Sequence, residues 1–351
     1  MRNINLIKYF YNLIIFTTFF LLFFFLIMVS YNFINKKKYI YNINNFYHAI
    51  PNSIENYQNE DQKIINKIVR ITNDENGFRN KKKSIDGKNI LFLGDSLIRA
   101  INTDDDKILS NILNMPIYNA GMDGFSTFNS FNVASHLFKK KKFKKIFLFF
   151  NLNNDFRDNV YQEVYEKNFK GKAIIIVKNN QFLDRLFKLR FLFIHKNKEN
   201  NKMLRISEID KPYYSINYLK LLVNDEIFIN KATKKTLIAF KDFKNFSIKN
   251  NSELVIIGIP NVSEIYKDIH KVPRLAKDLK IENLDIENFK DKLNFENPKK
   301  IFFSVCKKAN VNCFYLPLDK YSYYELDDEH WNNHGQEIAK DYLIKQLNLR
   351  R

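Results

Sequence analysis

The chain has 351 residues, with 57 Lys and Arg against 38 Asp and Glu and a formal net charge of +19. That length has room for one sizeable domain with appendages and does not require two cores. The charge alone does not indicate a nucleic-acid partner: Lys, Asn, Ile, Phe and Tyr are abundant throughout, and no zinc-finger, RNA-recognition or helix-turn-helix pattern occurs. The densest basic run, KKKKFKK at 139–145, falls between a helix and a strand, where cations complement the helix C-terminal dipole. A solvated surface accounts for it, although such a surface can still help hold an anionic polymer or headgroups.

In chain order, residues 9–35 carry no charge. At about 1.5 Å per helical residue this run can cross a hydrocarbon core of about 30 Å. The segment after Val29 reads SYNFINKKK, with no small-x-small cleavage site, so the run predicts an uncleaved transmembrane helix within 1–35 and not a signal peptide. Arg2 and Lys8 precede it and Lys36, Lys37 and Lys38 come after it, so basic residues give no clean orientation and lean weakly toward a cytoplasmic body. Residues 36–85 are polar and broken and read as a juxtamembrane spacer with a little helix around Gln62–Ile71.

From Lys88 short apolar runs alternate with helical stretches: NILFLG, PIYNAG, KIFLFFN, ELVIIGIP and NCFYLPL. Near-continuous apolar strands separated by helices predict a parallel sheet covered on both faces. The expectation is an α/β domain over 86–351, a three-layer sandwich of flavodoxin-like form with about five parallel strands. A last helix, roughly Asn332–Leu347, packs back on the sheet. The stretch 157–250 breaks the rhythm, with a hairpin at 171–183 and an aromatic helical piece at 184–196, and predicts an ordered cap beside the site. Cys306 and Cys313, in CKKANVNC, lack a second ligand pair for a metal. They read equally as a local disulfide in an exported body or as two half-buried thiols.

Four segments put chemistry at strand ends. Ser96, in LFLGDSL, sits where a strand turns into a helix, exposing its hydroxyl at the C-terminal edge of the sheet. Gly124, in NAGMDGFS, lets the backbone come close to a substrate so that its N–H can meet developing negative charge; Gly121 shares that logic less well. Asn154, in NLNND, ends the third strand with a neutral amide donor, and Asp155 reads as a cap or supporting partner. His330, in LDDEHWNNHG, is the candidate base, with Asp327 three residues earlier to fix its tautomer and the adjacent Asp328 left open. His334 reads as a surface residue, and His48, His136, His195 and His270 lie in no comparable setting.

These four segments, in this order, resemble the four blocks of the SGNH, or GDSL, hydrolases. The resemblance covers about 88–156 and 253–349. It implies Ser96 as nucleophile and His330 as base, with Asp327 orienting it. It also implies an oxyanion hole of the Ser96 N–H, the Gly124 N–H and the Asn154 side chain. The anchor, the insertion and the ending look most like membrane-anchored bacterial members that act on acyl groups of envelope glycans outside the cytoplasmic membrane, which is what favours an external body here. One departure stands out, since Leu152 occupies the glycine of the usual G-x-N-D block.

The resulting expectation is a serine esterase or O-acyltransferase working through an acyl-serine, with a small acyl ester or acylated glycan as substrate and the membrane as its anchor. It needs no metal, no organic cofactor and no nucleic acid. Two other readings compete: an inactive scaffold that binds a glycan or protein at the membrane, motivated by Leu152, and a basic nucleic-acid or lipid binder resting on charge alone.

Overall fold

The five apolar runs become one sheet. In the computed structural model the described residues are 12–25, 39–42, 46–57, 68–80, 85–161, 214–271, 286–323 and 330–346. The chain divides into two units, Met1–Tyr39 with Ile174–Glu199, and Ile40–Ala173 with Asn200–Arg351. The described part of the first is helix α1, residues 12–25, whose large apolar side chains from Leu13 to Phe25 are exposed. At 1.5 Å per residue it is about 21 Å long, short of a core of about 30 Å. No helix among the described residues is long and apolar enough to cross a membrane. The rest of the uncharged run, and so the remainder of the expected span, lies outside the described residues.

Two short two-stranded elements precede the main sheet. β1 (Tyr39–Asn42) pairs with β2 (Phe46–Ala49), and β3 (Ile54–Tyr57) pairs antiparallel with β4 (Val69–Thr72) in the register Ile54↔Thr72 to Tyr57↔Val69. The expectation of a polar spacer is corrected here. Phe46, Ala49, Val69, Ile71 and Phe78 are buried, and Val69 and Ile71 pack on Ile101. The stretch looks polar because Asn73, Asp74, Asn76 and Arg79 are themselves buried, with hydrogen bonds to side chains and backbone supporting them. The expected helix near Gln62–Ile71 is a strand where it is described, at Val69–Thr72.

The sheet proper follows the predicted runs. β5 (Ile90–Leu93) leads through α2 (Ser96–Arg99) and α3 (Leu109–Ile112) to β6 (Ile117–Asn119), and α4 (Thr127–Lys140) leads to β7 (Lys145–Asn151). After β7 come α5 (155–161), α6 (Tyr214–Leu222) and α7 (Glu226–Lys249), then β8 (Glu253–Ile259), α8 (Val262–Tyr266), α9 (Asn297–Ala309), β9 (Asn312–Tyr315) and α10 (Asn333–Gln346). The order across the sheet is β6-β5-β7-β8-β9, all parallel. This is the flavodoxin-like α/β arrangement. Alternation along each strand feeds two layers. Phe147, Phe149, Val255 and Ile257 share a core with Leu97, Leu109, Trp331 and Leu343, which come from the α2, α3 and α10 side. Phe150 faces the other way and meets Phe240 of α7 at 5.3 Å and Phe302 of α9 at 5.6 Å between ring centroids.

Helix α7 trims the predicted cap. Its buried residues, Phe228, Ala232, Thr236, Ala239, Phe240, Phe243 and Ser247, recur every three or four positions and form one stripe. It is the crossover between β7 and β8, a layer of the sandwich, although the sequence placed it inside the 157–250 insertion. The hairpin at 171–183 and the aromatic piece at 184–196 lie outside the described residues. The chain reverses direction across the sheet at β5. The crevice beyond the C-terminal ends of β5 and β7 is therefore the topological switch point, where open α/β sheets bind ligands.

Candidate active site

The turn after β5 is built around Gly94 and Asp95. A Cβ on Gly94 would fall 2.7 Å from Ile98 Cγ1, so only glycine lets the strand pass directly into α2. Asp95 is the N-cap, its Oδ1 accepting from Leu97 N at 2.9 Å. Ser96 is the first residue of α2, and its Oγ lies 2.8 Å from His330 Nε2. The sequence separation of 234 residues makes this contact a product of the fold. A neutral imidazole accepts the serine proton through Nε2 in this geometry.

His330 is held by the residues on its C-terminal side. Trp331 is buried and bridges to Tyr323. The Asn332 amide donates to the carbonyls of Tyr321 (2.7 Å) and Tyr323 (2.9 Å), and its Oδ1 accepts from Gly335 N at 3.1 Å. A Cβ on Gly335 would lie 2.5 Å from Ser322 O and 2.7 Å from Trp331 Cβ, so this glycine allows α10 to start close under the loop. Asp327 and Asp328 lie outside the described residues. His334 is exposed, with Nε2 3.2 Å from Asp319 Oδ2, a surface pair as expected.

Asn154 reaches the same turn. Its Nδ2 donates to Asp95 Oδ2 at 3.0 Å, and Asn151 Nδ2 donates to the same oxygen at 2.9 Å. One carboxylate thus caps the Ser96 helix and fixes the Asn154 amide. Asp155 Oδ2 accepts from Asn151 N at 2.6 Å. Burial pushes the Asp155 carboxyl well up, with Asp95 and Asp158 adding to the shift. Asp158 is raised to about 6, chiefly by burial, with Arg157 opposing. Asp95 and Asn151 were not singled out by sequence; an Asp directly before an apolar helix start is the N-cap signal that marks the first.

The loop after β6 carries Gly121 and Gly124. Gly124 has φ +67°, in the left-handed region where glycine is favoured. Gly121 is fixed by space, since a Cβ there would lie 2.7 Å from Arg99 N. Met122 N donates to Gly94 O at 3.1 Å, tying this loop to the turn before Ser96. Leu152, the departure from the block pattern, is buried and packs away from this cleft: its N–H extends the ladder to Ile259 O at 3.1 Å, and its Cδ1 would lie 3.2 Å from a Cβ on Gly258.

No family model matches the sequence, and no curated protein matches it. Among solved structures the chain is similar to TesA, at 10% identity and a TM-score of 0.37 over 74% of this chain and 99% of that one. It is similar to the psychrotrophic esterase EstA from Pseudoalteromonas sp., at 10% identity and a TM-score of 0.37 over 74% and 96%. A catalytic mutant of Axe2, an acetylxylan esterase from Geobacillus stearothermophilus, overlaps at 7% identity and a TM-score of 0.36 over 75% and 95%. Overlaps of this extent leave the chemistry of this chain to its own residues.

Proposed function

We propose that the protein is a serine esterase or O-acyltransferase of the SGNH type, with Ser96 as nucleophile and His330 as general base. The observation that carries this reading is the 2.8 Å approach of His330 Nε2 to Ser96 Oγ at the switch point of a parallel sheet. His330 takes the Ser96 proton as Oγ adds to the ester carbonyl. The negative charge that forms on the carbonyl oxygen meets the backbone N–H of Ser96, that of Gly124 and the side-chain amide of Asn154; one such donor is worth roughly 3–4 kcal/mol. Collapse breaks the ester C–O bond, and the leaving alkoxide takes the proton from His330. Water or a sugar hydroxyl then repeats the sequence on the acyl-serine, giving hydrolysis or transfer. Asp327 orients the imidazole in this scheme.

The finer reading is a membrane-anchored enzyme acting on small acyl esters of envelope glycans, with its body outside the cytoplasmic membrane. The uncharged run at 9–35 supports the anchor. The Cys306–Cys313 disulfide supports the side, because such bonds persist in oxidising compartments. The glycan substrate rests on the resemblance of the four segments. Leu152 packs away from the cleft, so the observation that motivated an inactive scaffold does not favour it.

A serine-reactive fluorophosphonate tests the reading. Full-length protein is expected to take the label and Ser96→Ala to take none. A folded wild type that stays unlabelled would sink the esterase proposal.

A further inference from the structure

Arg99 is the fourth residue of α2, three positions after Ser96, and its side chain has no solvent exposure. A guanidinium in such a place is costly unless it is paired. Its fork serves two carboxylates from different parts of the chain. Nη1 donates to Asp123 Oδ2 at 2.5 Å and Nη2 to Glu55 Oε1 at 2.8 Å. Asp123 immediately precedes Gly124. At the other end of the same loop, Gly121 lies against the backbone of Arg99. Glu55 belongs to β3 and also accepts from Asn73 Nδ2 at 2.5 Å, so the amino-terminal strands fix the outer side of the guanidinium.

We infer that Arg99 is a positioning residue: through Asp123 it sets the Gly124 N–H relative to Ser96, with Glu55 holding it in register. This assignment rests on the esterase reading. An ion pair that only stabilised the fold could sit anywhere in the core. This one joins the helix that starts with the proposed nucleophile to the loop that carries the proposed oxyanion donor, and it reaches both through one side chain.

The test uses full-length protein and p-nitrophenyl acetate, with kcat expressed per active site titrated by fluorophosphonate, so that loss of folded protein does not count as loss of rate. Asp123→Ala is expected to lower kcat per titrated site about 10- to 100-fold with KM within about twofold, the pattern of a lost transition-state contact. Asp123→Asn keeps an acceptor for Nη1 and is expected to recover part of that, leaving a loss of about 3- to 10-fold. An unchanged kcat per site in Asp123→Ala, or a raised KM at constant kcat, overturns the assignment. Should Asp123→Ala fail to fold, Asp123→Asn decides by the same ratio, and a ratio of about one overturns it. A wild type that takes no label overturns the esterase reading and this assignment together. A labelled wild type with an unaffected Asp123→Ala overturns this assignment alone.

Discussion

Asp95 and Glu264 are both buried acids, and hydrogen bonding gives them different tasks. Asp95 accepts from Leu97 N and from the amides of Asn151 and Asn154, so its carboxylate organises the turn that carries Ser96. Glu264, in α8, accepts from Asn261 N at 2.8 Å, Tyr218 Oη at 3.1 Å and Tyr315 Oη at 2.8 Å. Burial nevertheless raises its pKa from 4.5 to about 7, against the lowering effect of those bonds. The folded state therefore holds this proton more tightly than the unfolded chain does. Stability is expected to fall as pH rises from about 4.5 to about 7, by on the order of 3 kcal/mol from this group, and to level off above. Urea midpoints of wild type and Glu264→Gln at pH 5 and pH 8 check this. The variant should lose that part of the slope, and parallel curves would refute the assignment. Ser96 and His330 were legible in the sequence because their neighbours, a strand end before G-D-S and a polar loop before the last helix, restrict where they can lie. Arg99 was not, because one more cation in a chain of net charge +19 carries no signal until its two carboxylates are seen.

At the scale of elements, the five strands were legible because each is a nearly unbroken apolar run between turn residues. Two elements were not. Helix α7 hides its stripe because Thr236, Ser247 and two alanines fill places where larger apolar residues were sought, and lysines crowd its other faces. The amino-terminal strands hide theirs because polar side chains do much of the joining. Arg79 is the plainest case: Nε donates to Asp105 Oδ1 at 2.8 Å, Nη1 to the carbonyls of Arg99 (2.9 Å) and Ala100 (2.5 Å), and Nη2 to that of Thr103 (2.6 Å). It closes the C-terminal end of the Ser96 helix, where backbone carbonyls have no helical partner. Arg79→Ala is expected to cost roughly 2–4 kcal/mol, because it leaves three carbonyls and the half-buried Asp105 without their donor. A chain beginning at residue 86, the boundary that sequence suggested, lacks all of this and is expected not to fold. One beginning at residue 40 should give a cooperative melt, and far-UV circular dichroism separates the two.

At the scale of the molecule, the disulfide joins α9 to β9, the strand at one edge of the sheet, with a sequence separation of 7. So short a loop limits its entropic contribution to roughly 2 kcal/mol, enough to matter in a protein whose stability is marginal. Protein taken from its native compartment is expected to show no maleimide-reactive thiol until it is reduced. Cys306→Ser with Cys313→Ser should lower the denaturant midpoint by that amount. Free thiols in the untreated protein would argue for a cytoplasmic body.

The burial of Phe46 also sets where the chain can be shortened. Proteases trim exposed tails and stop where backbone and side chains are packed. With Phe46, Val69 and Ile71 all buried, a trimmed body must keep these strands, so the shortest protease-resistant fragment begins ahead of Phe46 and not at residue 86.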